Sequence, residues 1–220
     1  MNNQEMIKSL EAIIEALKAE EQLTKPTTFD FGNGPVPAHQ HTNPDGSIGG
    51  WVANSATVSD TAYIGEDAEV FGNAWVYGDA WVSGKAKVYG YAKVSGKARV
   101  SGKAKVYGDA QVYENAEVLG YAWVSGNSKV FGNARVSGDA WVSGNAKVSG
   151  TAEVFGNAEV FGNAWVFGNA WVSGNAKVSG TAAVFGNAKV YGDAQVYENA
   201  EVLGYAKVCG DAKVKKGKKL

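Results

Sequence analysis

From Ala56 to Ala212 the chain repeats every six residues without insertion or deletion, as small residue, any, Val, any, Gly and then, most often, Asn, Asp or Lys. The small position is Ala in every hexad except at Ser128, and the third is Val in every hexad except at Ile64. A period this strict specifies a repeat architecture. Ala and Val stand two residues apart, which is strand spacing, so both face one side of a short extended segment. Gly and the Asn or Asp after it tolerate positive φ and make a corner. Three such units close a triangular coil of 18 residues, and coils stack so that backbone groups pair in parallel ladders. The expectation is an all-β solenoid over residues 51–214: a parallel β-helix of about nine coils, roughly 43 Å long at about 4.8 Å per coil. Ala and Val fill so narrow an interior that no ligand cavity is expected inside.

The run Val70-Phe71-Gly72-Asn73-Ala74-Trp75, an aliphatic residue followed four positions later by a small one, resembles the hexapeptide-repeat superfamily. That resemblance implies a left-handed coil. Acyltransferases of the superfamily use a His as general base, and its carbonic anhydrase-like members place three His on zinc. The repeats here hold no His, and no loop interrupts them. An enzyme is therefore not expected, and an acyltransferase-like activity stands third among the functional readings. Gly49-Gly50-Trp51 and the segment Gly72 to Gly78 are similar to uncharacterised hexapeptide-repeat proteins of bacteria and phages. The resemblance implies a structural protein of a virion.

Residues 1–23 read as an amphipathic helix, with Ile7, Leu10, Ile14 and Leu17 spaced as an a/d stripe. Two heptads are marginal alone, so the helix must oligomerise or dock, giving a homo-oligomer (dimer or trimer) or a complex with another structural protein. Residues 24–50 hold all four prolines and both histidines and read as an irregular connector that caps the first coil, anchored by Phe29, Phe31, Val36 and Ile48. His39 and His41 would lie on one side of an extended segment, and three copies could share a transition metal. No other cofactor is expected. Residues 215–220 are a basic tail that discourages end-to-end strand pairing. Net charge is −1, and no apolar run reaches transmembrane length. With no signal-like N-terminus and a single cysteine, Cys209, the expected place is the cytoplasm, or a virion assembled there.

All seven Trp precede the inward Val and so project outward, while most Phe and Tyr follow it and also point out. Trp123, Trp141, Trp165 and Trp171 are the candidate surface-binding residues. Columns 18 apart should stack as aromatic ladders, Trp123 on Trp141 and Phe167 on Phe185. Seven basic residues between Lys85 and Lys105 wrap more than one coil without forming a stripe, so nucleic acid is not an expected partner. Segments recur at offsets of 84 (residues 107–122) and 30 (residues 141–152), multiples of six but not of 18. Copies therefore land on different sides, which speaks for a maintained rod over a catalytic face. The functional expectation is a non-enzymatic fibre, spike or decoration component of a phage-like particle, with a carbohydrate-binding module using outward Trp as the alternative.

Overall fold

The computed structural model describes residues 27–215 together with Lys8, Leu10, Ile13 and Ile14. Each hexad carries one two-residue strand, formed by the inward Val and the residue before it, as in Trp75–Val76 and Trp81–Val82. Strands 18 residues apart pair in parallel without slip: Trp75 on Lys93, and Lys93 on Gln111. Successive hexads thus feed three sheets in rotation, of twelve, nine and nine strands. The chain is an all-β parallel solenoid of about nine turns. The first sheet includes Trp123–Val124 and Trp141–Val142, the second Trp165–Val166 and the third Trp171–Val172.

The amide of every second residue donates along the rod axis to a carbonyl of the next turn. In one hexad Trp75 reaches Ala92 at 2.9 Å and Tyr77 reaches Val94 at 3.0 Å, while at the corner before it Asn73 reaches Gly90 at 2.7 Å. Corners are therefore part of the ladder, not breaks in it. Inside, Ala and Val of the central turns, Val142 among them, have no solvent exposure. The exception Ser128 is also fully buried, and its hydroxyl donates to the Ser125 carbonyl at 2.7 Å.

At most corners two features favour glycine, a positive φ and the backbone of the next turn close by. Gly174 has φ +68, and a Cβ added there would stand 2.9 Å from the Gly192 amide nitrogen of the next turn. The Asn and Asp after it do not share that conformation as expected, since the only non-glycine residues with positive φ among those described are Glu114 and Glu198. They serve the corner through side chains instead. Asn157 donates to Asn175 at 3.0 Å, and Asn175 to Asp193 at 2.9 Å. Glu114 replaces a corner glycine, and its carboxylate accepts the Gly132 amide of the turn above at 2.8 Å.

The segment expected to be an irregular connector is a sheet. Strands β1 (Thr28–Asp30), β2 (Pro35–Thr42) and β3 (Ile48–Ala53) form an antiparallel meander, and β3 opens the first sheet. Proline is tolerated because Pro37 is needed only as an acceptor: its carbonyl takes the Asn54 amide at 2.9 Å. Phe29 and Phe31 anchor the meander against Trp51 and Phe71, but Val36 and Ile48 are exposed. Gly49 and Gly50 are small for steric reasons, because a Cβ would lie 2.2 Å from the Ile64 carbonyl oxygen and 2.0 Å from that of Ala68.

The expected N-terminal helix is not an element of this structure: the first element among the described residues is β1. Of its span the structure describes Lys8, Leu10, Ile13 and Ile14, which are helical and exposed. The rod does not cover the apolar side chains of Leu10, Ile13 and Ile14. Ile7, Leu17 and residues 216–220 of the tail lie outside the described residues.

Candidate functional site

Outward side chains lie in columns that run along the rod, and each meets its counterparts one turn away. Rings in the position after Val stack face to face, Phe71 on Tyr89 with centroids 4.8 Å apart and Tyr89 on Tyr107 at 5.0 Å. Burial in that ladder raises the Tyr89 phenol above its ordinary pKa, with the Tyr107 phenol adding to the effect. Tyr113 on Phe131 and Phe167 on Phe185 repeat the arrangement. Opposite charges pair by the same step: Lys87 with Glu69 at 2.6 Å and Lys177 with Glu159 at 2.9 Å.

Tryptophans behave differently from the expected ladder of stacked indoles. Trp123 and Trp141 do lie one turn apart on the first sheet, but their rings meet at 73° with centroids 6.3 Å apart. An indole leans back over the residue sixteen positions earlier, which is the position after Val in the preceding turn. In two cases that residue is a Ser that takes the indole N–H: Trp141 donates to Ser125 at 3.2 Å and Trp165 to Ser149 at 3.3 Å. Ser125 and Ser149 are consequently buried on an outward face. Where it is aromatic, the contact is edge-on, as for Trp171 against Phe155.

Lysines from the turn above or below sit on indole faces. Lys105 Nζ lies 4.7 Å from the Trp123 ring, Lys147 5.6 Å from Trp165, and Lys189 4.3 Å from Trp171. Phe29 and Tyr63 cover Trp51 and Trp81, and Lys93 covers Trp75. Trp141 alone among the seven carries neither a stacked ring nor an ammonium. It is flanked by two open clefts. One, of about 330 Å³, is lined by Tyr121, Trp123, Asp139 and Trp141. The other, of about 220 Å³, is lined by Trp141, Ser143, Glu159 and Phe161.

Of the sequence candidates, Trp123 and Trp141 are thus brought together, while Trp165 and Trp171 stand on the other two sheets. His39 and His41 differ in exposure, the first open to solvent and the second buried. His41 sits at a register shift between Gln40 and Thr42 with its Nε2 3.0 Å from the Ala62 carbonyl, while exposed His39 bonds Asn54 through Nδ1 at 3.0 Å. Asn43 completes the same cap: its side chain accepts the Ile64 amide at 2.8 Å and donates to the Ile64 carbonyl at 3.2 Å. Tyr121, Asp139 and Ser125 went unnoticed in the sequence, although an 18-residue column alignment places them beside the indoles. No helix among the described residues is long and apolar enough to cross a membrane.

The repeat family described as YdcK beta solenoid repeat matches residues 129–144, less than one full turn. No curated protein matches this chain.

Proposed function

We propose that this chain is a non-enzymatic structural rod, left-handed as its resemblance to the hexapeptide-repeat superfamily implies and triangular in section as three hexads per turn imply, which serves as a fibre, spike or decoration component of a phage-like particle. One observation carries the reading. On all three sheets the outward side chains are spent largely on one another along the axis, as ion pairs, Asn ladders, ring stacks and lysines on indoles. Such a surface favours cohesion of a rod over chemistry on a substrate. The short match to a solenoid repeat agrees with a repeat rod. Attachment or self-association falls to the N-terminal segment, where exposed Leu10, Ile13 and Ile14 offer apolar surface that the rod does not cover.

The test is solution mass with and without residues 1–23, combined with circular dichroism. The full chain is expected to form a dimer, a trimer or a partner complex. The truncated chain should keep its β signal and fall to a monomer, as should Leu10→Asp/Ile14→Asp in the full chain. An unchanged assembly would place the subunit contact on the aromatic sides instead.

A further inference from the structure

We propose that the two clefts on either side of Trp141 form a binding site for a neutral oligosaccharide lying along the rod axis, an activity beyond the structural role above. The argument starts from the indole itself. Six of the seven tryptophans have a ring face stacked on another ring or under a lysine, and among the described residues Trp141 has neither, although its exposure, 42%, matches that of Trp81 and Trp165. It is nevertheless held in place, because its N–H is committed to the buried Ser125 hydroxyl. Trp123 and Tyr121 are braced as well, by Lys105 at 4.7 Å and Lys103 at 4.9 Å. The three rings are therefore arranged before any ligand arrives, which lowers the ordering cost of binding.

Polar groups beside the rings identify the ligand class. Asp139 stands next to Tyr121 and Trp141 with no cation paired to it among the described residues, leaving a carboxylate that can only accept hydrogen bonds. Across the indole, Glu159 is paired with Lys177 through Oε1 at 2.9 Å, which leaves Ser143 and the second Glu159 oxygen as the polar groups beside Phe161. A pyranose offers what this requires, an apolar C–H face for each ring and a rim of hydroxyl donors for each carboxylate. The first cleft, about 330 Å³, lies at the small end of the range for ligand sites and suits one sugar unit. Because Trp141 belongs to both clefts, successive units of one chain would share it. A cationic ligand is disfavoured by the ammonium groups of Lys103 and Lys105 on the Tyr121 and Trp123 rings, and a nucleotide would bring its phosphate towards Asp139.

The experiment screens the full chain on an array of bacterial surface glycans, then measures the best neutral oligosaccharide and its monosaccharide by calorimetry. Binding should strengthen at least tenfold from monosaccharide to oligosaccharide. Trp141→Ala should weaken it tenfold or more and Asp139→Asn several-fold, while Trp171→Ala, on another sheet, should leave it unchanged. Asp139→Asn preserves shape and the Trp141–Ser125 bond, so its effect does not depend on how the tryptophan variant folds. Absence of glycan binding, equal loss in the Trp171 variant, or saturation of the site by tetramethylammonium in place of sugar would each overturn the proposal.

Discussion

Neighbouring residues in this chain live in opposite environments, and one pair shows it well. Val142 is fully buried between the stacked turns, whereas Trp141 beside it is 42% exposed. Val142→Asp places a carboxylate where no partner can reach it, at a cost of several kcal/mol or more, and should abolish the cooperative melt. Trp141→Ser loses ring contacts and one hydrogen bond, a penalty of about 1–2 kcal/mol that leaves the fold intact. Thermal melts of the two variants decide it, and comparable losses would mean that inward and outward are reversed. This alternation was legible from the hexad, because strand period alone fixes which residues share a side. The partners of outward residues were less legible. Trp141 was expected to stack on Trp123, but it turned to Ser125, since an indole has an N–H to satisfy as well as a face to cover.

At the scale of elements, the solenoid strands followed the sequence closely while the N-terminal segment did not. Prolines in residues 24–50 suggested irregular backbone, yet Pro35 and Pro37 occupy β2, between β1 and β3, where the Pro37 carbonyl still accepts the Asn54 amide. Buried His41 sits at a register shift, which no periodicity announces. Nor could residue types show that Asn43 stands in for a missing strand at the start of the third sheet, with both ends of its amide on Ile64. Asn43→Ala should leave that amide and carbonyl unpaired, costing about 1–3 kcal/mol each. Hydrogen exchange is expected to speed up at Ile64 and its first-turn neighbours while turns beyond Val124 stay protected. Uniform protection throughout would show that the cap is dispensable.

Across the whole molecule, each turn contacts only the turns beside it, so stability should be close to a sum over turns and their interfaces. Deleting residues 127–144 removes 18 positions and leaves every downstream column on its own sheet. That variant should fold and lose height by about 4.8 Å. Deleting nine residues instead sends polar side chains inward and should give insoluble protein. Solubility together with small-angle scattering distinguishes the outcomes, and equal insolubility of the two would sink the stacked-turn description.

The pairing of inward Ala and Val with itself in every hexad has a further reach. A loss or gain of six residues leaves the core as it was, and only contacts straddling the junction, such as Trp141 over Ser125, are exchanged for others. Length is thereby inherited in increments of one side, and unequal copying between near-identical hexads yields another rod with its outer columns dealt afresh. The recurrence of residues 141–152 thirty positions later is what such copying leaves behind. A lineage built this way can vary its exterior rapidly while its interior registers no change at all.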